Sequence, residues 1–112
     1  MTLGSWGEAA AEKYLKKKGY AILERNFRCR LGEIDIIALD GRSLVFIEVK
    51  TRRNQNYGLP CEAVTAAKLQ HLKRTAAYYT AAHNAEGWDL RLDVIEILAR
   101  DGQAYIHHME GV

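Results

Sequence analysis

Two short segments near the middle of the chain place acids and a lysine inside strongly apolar runs. The first runs from Gly32 to Ala38 and carries Asp35, and the second runs from Val45 to Lys50 and carries Glu48. Burying a carboxylate in such a run is costly unless the carboxylate is paired or holds a metal. Two acids and a lysine that close on one another would suit a divalent-metal site that cleaves a phosphodiester.

The residue types favour a hard cation bound by oxygen. Mg²⁺ keeps several waters, so one or two carboxylates are enough to hold it, and Mn²⁺ suits the same oxygens. Asp35 and Glu48 fit that role, and the backbone carbonyl of Val49 is positioned as a further ligand. Lys50 would orient the attacking water or offset charge in the transition state. The histidines and cysteines lack a zinc-ligand pattern.

The pattern of the whole chain predicts one α/β (α+β) domain over residues 1–112, in the order α-β-β-β-α-β-β. Helices would flank a central mixed sheet of about five strands. Ser5 is expected to cap the first helix, with Glu8 three residues later as in a capping box. The predicted helices are Ser5–Lys18 and Thr65 to about His83, and the predicted strands are Tyr20–Arg30, Glu33–Leu39, Ser43–Thr51, Asp89–Ala99 and Gln103–Met109.

Strand alternation brings the acids and the lysine to one face of the second and third strands. A two-residue turn at Asp40-Gly41 would pair Asp35 with Phe46, whereas a four-residue loop from Asp40 to Ser43 would pair Asp35 with Glu48. The acids and Lys50 share a face in both registers. Ordinary surface residues, or a structural salt bridge from Lys50, would produce the same pattern.

Composition sets broad bounds on the class of protein. The chain is 48% hydrophobic and 27% charged, with a formal net charge of +2, as in ordinary soluble proteins. No apolar stretch approaches the roughly 20 residues that a membrane span needs, and the amino terminus lacks a signal-peptide layout. We therefore expect a cytoplasmic protein in which Cys29 and Cys61 are free thiols.

Polar and basic residues close to the acids are candidates for holding a nucleic-acid backbone. Thr51, Arg52 and Arg53 follow the lysine and enter a predicted loop that extends to Glu62. Lys68 would contact a phosphate, helped by its place near a helix N-terminus. Tyr57 would stack on a base. A solvated surface loop explains the same residues equally well.

An acid early in one strand, followed by Glu-x-Lys in the next, resembles the PD-(D/E)xK nuclease superfamily, which has the restriction-endonuclease-like fold. Ile34 stands where the superfamily name has proline. Small archaeal Holliday-junction resolvases are similar, with an acid in the first helix, here Glu8, and a basic strand that ends in Arg28-Cys29-Arg30. The whole chain looks like the YraN-like family of small bacterial proteins, and the matching segments are Gly7–Ala10, Gly32–Asp35, Phe46–Arg52 and the later helix that carries Lys68.

This resemblance implies a magnesium-dependent DNA endonuclease that selects branched or junction structures. Asp35 and Glu48 would bind the metal, Lys50 would be catalytic, and Glu8 would reach in as a further acid. Arg28 and Arg30 would contact DNA, and a symmetric homodimer would place two active sites on two strands. Two alternatives stay open: a nuclease fold that binds nucleic acid without cutting it, and a protein-interaction adaptor.

Overall fold

The computed structural model describes residues 2–53 and 65–112. Its elements follow the predicted order, so the expected mixed α+β fold is confirmed and is compatible with a restriction-endonuclease-like fold. Most of the predicted loop from Arg52 to Glu62, including Tyr57, lies outside the described residues. The elements are α1 (Leu3–Lys17), β1 (Ala21–Cys29), β2 (Gly32–Asp40), β3 (Ser43–Arg52), α2 (Ala66–Ala82), β4 (Asp89–Arg100) and β5 (Gln103–Met109).

The five strands form one sheet in the order β1-β2-β3-β4-β5. Neighbouring strands are antiparallel except β3 and β4, which are parallel because α2 connects them as a crossover. The β4–β5 turn at Asp101-Gly102 has positive φ at both residues, as the Asp-Gly hairpin signal predicts. The carboxyl ends of β3 and β4 consequently lie side by side at one end of the sheet.

Each face of the sheet is covered by one helix, since alternate apolar side chains of the central strands point to opposite faces. The face under α1 buries Ile36, Val45, Ile47, Val49 and Ile95 against Ala11 and Leu15. The face under α2 buries Ile34, Ile37, Leu44 and Phe46 against Leu72, Ala76 and Tyr79.

Helix α1 begins earlier than the sequence predicts. The N-cap is Thr2, whose Oγ1 accepts a hydrogen bond from the backbone N–H of Ser5 at 3.0 Å, so the expected Ser5 cap is wrong. Glu8 consequently lies beyond the first helical turn, and the capping-box interpretation fails with it. With Thr2 as the N-cap, the helix begins at Leu3, and Ser5 lies inside its first turn.

Helix α1 also lies unusually close to the end of β3. A Cβ added at Gly7 would overlap the Thr51 Oγ1 atom and would lie only 2.8 Å from the Thr51 Cβ. Gly7 therefore allows α1 to pack closely on Thr51, the residue after Lys50, near the end of β3. Neither helix in residues 2–53 and 65–112 is long and apolar enough to cross a membrane, and Cys29 is a free thiol.

Candidate metal centre

The β2–β3 register brings Asp35 close to Glu48. The ladder pairs Asp40 with Ser43 and continues to Ile36 and Ile47, where it ends. Asp35 and Glu48 are the next residues on the two strands. The ladder has the register predicted for a four-residue loop, although only Gly41 and Arg42 form the turn, with φ of 59° at Gly41.

Asp35 occupies an irregular point of its strand. Ile34 and Ile36 pack under different helices, although regular alternation would put residues two apart on one face. Across the sheet, between the pairs Arg25–Ile36 and Phe27–Ile34, Asn26 adopts a left-handed φ of 55°. The local twist lets the Asp35 carboxylate reach β3, where its Oδ2 accepts the Val49 N–H at 2.8 Å.

The pKa of Asp35 is shifted by its burial and by the neighbouring Glu48 carboxyl. Burial, together with a hydrogen bond to Glu48 and repulsion from it, raises the pKa of Asp35 from 3.8 to about 7. The Val49 N–H opposes that rise without cancelling it. Glu48 itself is only 8% exposed. Asp35 therefore keeps its proton up to about neutral pH, and a divalent cation beside the two carboxyls would remove the repulsion between them.

Two lysines approach the pair from different elements. Lys68 of α2 places its Nζ 3.3 Å from the Glu48 Oε2, so this residue contacts the acid pair directly. Lys50 shares the face of Glu48 by alternation and is exposed, with its Cα paired to Glu96 of β4. The oxygens of Asp35 and Glu48, with positive charge beside them, match the chemistry of a magnesium site at a phosphate.

Glu8 and Glu33 have other partners in the described residues. Glu8 lies 3.5 Å from an Nη of Arg25, and Glu33 lies 3.1 Å from the Nε of Arg28. Within residues 2–53 and 65–112, no group of three or more His, Cys, Asp or Glu side chains is close enough to hold an ion. Val49 contributes its N–H to Asp35, and its carbonyl as a ligand stays a prediction.

The residues predicted to hold nucleic acid divide into two groups. Thr51 packs on Gly7 of α1, and the Arg52 Nε donates to the Glu96 Oε1 at 2.7 Å. Arg53 and Arg30 are exposed, and Arg28 is exposed around its pair with Glu33. The exposed arginines therefore stay candidates for a phosphate contact, whereas Thr51 packs on α1 and Arg52 is held by Glu96.

Glu96 of β4 is a further buried acid beside Lys50. It is 7% exposed, and its Oε2 has no hydrogen-bond partner in the described part of the chain. Like Glu48, it is an acid within an apolar run of the sequence. Its place beside Lys50, however, depends on the parallel pairing of β3 and β4. Asp93, three residues earlier on β4, points to the opposite face of the sheet.

Asp93 anchors a second polar cluster, under α1. Its carboxylate accepts from the Arg91 Nε at 2.9 Å and from the Gly111 N–H at 3.1 Å, and it lies 2.7 Å from the His108 Nε2. Burial alone would raise the pKa of Asp93, but the bonds from His108, Arg91 and Gly111 outweigh burial and lower it. The His108 Nδ1 lies 3.0 Å from the Tyr14 hydroxyl, so this cluster ties the chain's end to α1.

Fold and site together define a small mixed α+β protein with an acid pair on adjacent central strands. Residues 7–97 match the family model described as "Uncharacterised protein family UPF0102". The chain therefore belongs to the UPF0102 family, which confirms the expected YraN-like family.

Relatives in several bacteria carry the family name "UPF0102 protein". That of Caldicellulosiruptor saccharolyticus is 53% identical over 95 residues, which is 85% of this chain and 80% of the relative. That of Beutenbergia cavernae is 45% identical over 111 residues, which is 98% of this chain and 94% of the relative. That of Syntrophomonas wolfei is 46% identical over 107 residues, which is 96% and 93% of the two chains. The similarity thus extends over nearly the whole chain.

Proposed function

We propose that this protein is a divalent-metal-dependent DNA endonuclease of the PD-(D/E)xK type that selects branched or junction DNA. The observation that carries the proposal is the meeting of Asp35 and Glu48, two mostly buried carboxyls, with Lys68 beside them and Lys50 on the same face. If the pair had only a structural role, a neutral residue in place of one acid would give a more stable fold, because two like charges in contact are destabilising.

The donor set suits Mg²⁺ or Mn²⁺. Asp35 and Glu48 would hold the ion through carboxylate oxygens, with the Val49 carbonyl as a further oxygen ligand and water in the remaining positions. When bound, such an ion polarises a phosphoryl oxygen and lowers the pKa of water. Because a proton competes for Asp35, whose pKa is about 7, we expect metal affinity to fall below neutral pH.

The chain's own cations complete the proposed reaction. Lys50, exposed beside the acid pair, would donate a hydrogen bond to the phosphate under attack and offset the charge that develops there. Lys68, in contact with Glu48, would offset charge on the other side. Exposed Arg28, Arg30 and Arg53 would hold flanking phosphates and supply affinity without sequence readout. Glu8 stays a candidate further acid that would have to leave Arg25.

The test is a cleavage assay on linear, flapped and branched DNA with Mg²⁺ and, separately, with EDTA. We expect metal-dependent cutting of branched or flapped DNA, and a loss of at least about 100-fold in Asp35→Ala and Lys50→Ala. Glu86→Gln and Lys13→Ala change exposed residues of matching charge and should cut like the wild type. Absence of cutting on every substrate, or cutting by Asp35→Ala at the wild-type rate, would refute the enzyme.

Two strands of a junction would be cut by two copies of the chain, so the proposal includes a symmetric homodimer. Sedimentation equilibrium of the protein with and without junction DNA tests this part. A dimer on the junction supports it, and one copy per cut junction contradicts it without affecting the assignment of the acid pair.

A further inference from the structure

An open cleft of about 400 Å³ lies at the end of the sheet where β3 and β4 terminate. It is lined by the start of α1, with Trp6, and by Arg53 just after β3. The other wall is the tip of the β4–β5 hairpin, with Arg100. In open sheets, ligands commonly bind at the carboxyl ends of parallel strands, and β3 and β4 are the parallel pair here.

The lining combines an aromatic ring with positive charge. Trp6 is half-buried against the core under α1, which fixes the indole while leaving part of it at the cleft. Arg53 and Arg100 are exposed, and neither has an ion-pair partner within the described residues. Asp101 offsets one of these charges, so the cleft keeps a positive excess. Ring and cations of this kind bind single-stranded nucleic acid by stacking and phosphate contact.

The cleft and Lys50 lie at the same end of the sheet but on opposite faces. Glu48 contacts Lys68 of α2, and Lys50 shares its face, whereas Thr51 contacts Gly7 of α1, one residue from Trp6. Arg53 follows Lys50 by three residues, which corresponds to about 10 Å at the rise of a strand. A nucleic-acid strand that passes Lys50 would therefore have to turn around the end of β3 to reach the indole.

A comparable cleft at the opposite end of the sheet gives the contrast. It is lined by Trp88, Arg42 and Asp89, so one arginine faces one aspartate and no positive excess results. It adjoins the β2–β3 turn and the amino end of β4, away from the end of β3 that carries Lys50. A tryptophan in a cleft is therefore not sufficient; charge and position distinguish the Trp6 cleft.

We propose that the Trp6 cleft binds an unpaired nucleotide of DNA, stacking its base on the indole while Arg53 and Arg100 hold adjacent phosphates. The ligand class rests on the proposed DNA cleavage, and the cleft adds the reason for structure selectivity. Bases inside a duplex have no free face for the indole, whereas a flap, overhang or branch presents one. The cleft would then hold an unpaired strand that turns around the end of the sheet from the cleaved phosphate.

Binding without cleavage tests this inference. The variant Trp88→Phe leaves Trp6 as the sole tryptophan. In EDTA, an oligothymidylate of about eight nucleotides should quench the fluorescence of Trp6, whereas a duplex of equal length should not. Trp6→Leu should weaken oligothymidylate binding about tenfold, measured by anisotropy, and Trp6→Phe should keep most of it. Circular dichroism checks that each variant is folded.

The arginines give an independent measurement if Trp6→Leu fails to fold. Arg53→Gln and Arg100→Gln should each lower the slope of log affinity against log salt by about 0.7, whereas Arg42→Gln in the opposite cleft should leave it unchanged. Equal quenching by duplex, or unchanged slopes in both arginine variants, would overturn the proposal. Cleavage that fails while Trp6 quenching persists would refute the endonuclease and leave the binding cleft standing.

Discussion

Replacing Asp35 by asparagine should make the protein more stable at alkaline pH, the reverse of the usual effect of removing a charge from a pair. Burial and Glu48 raise the pKa of Asp35 from 3.8 to about 7. The folded protein therefore binds this proton more tightly than the unfolded chain does. The stabilisation that results is complete below the unfolded pKa and is lost as pH rises through about 7.

The magnitude follows from the two pKa values. The full effect of the raised pKa is about 4 kcal/mol, because each unit of pKa corresponds to 1.36 kcal/mol. Between about pH 5 and about pH 8, the part lost is about 2–3 kcal/mol, since some of the penalty is already present at the lower pH. The amide that Asp35→Asn introduces cannot ionise, so this variant should lack the loss.

Urea unfolding in EDTA at the two pH values measures the effect. When the pH is raised from the lower to the higher value, the free energy of unfolding should fall by about 2–3 kcal/mol more in the wild type than in Asp35→Asn. Asp89→Asn, which neutralises an exposed acid on β4, serves as the control and should fall like the wild type. Equal falls in the wild type and Asp35→Asn would refute the close carboxyl pair.

Three further predictions concern neighbouring parts of the molecule. Gly7→Ala should destabilise the protein by about 3 kcal/mol in urea, because its Cβ would meet Thr51, whereas Gly4→Ala should not; equal stability of the two variants would contradict the close helix–sheet contact. Asp93→Asn should cost about 3 kcal/mol of unfolding free energy while folded protein keeps its cleavage rate; lost cleavage in fully folded variant would place the second cluster in the reaction. Mg²⁺ should raise the melting temperature of the wild type but not of Glu48→Gln; equal shifts in calorimetry would locate the ion elsewhere.

The acid pair was predictable because it depends on local patterning. A hairpin signal at Asp40-Gly41, followed by apolar strands, limits the register to two choices, and both put Asp35 and Glu48 on one face. The actual turn differs in its residues but keeps the second register. The irregularity at Asn26 was not predictable, since asparagine adopts a left-handed φ in some places and not in others.

The remaining neighbours of the pair depend on long-range packing. Lys68 was predicted to contact a phosphate, but its position at Glu48 follows from how α2 docks on the sheet. Glu96 lies beside Lys50 only because β3 and β4 run parallel through a crossover. Local propensity does not contain these contacts.

The most direct test of the central claim is anomalous diffraction from crystals soaked in Mn²⁺. We expect one strong peak within bonding distance of carboxylate oxygens from both Asp35 and Glu48, and loss of that peak in Asp35→Asn. A soaked crystal with no peak at this pair, or with its peak bound to other residues, would contradict the metal centre and the cleavage chemistry built on it.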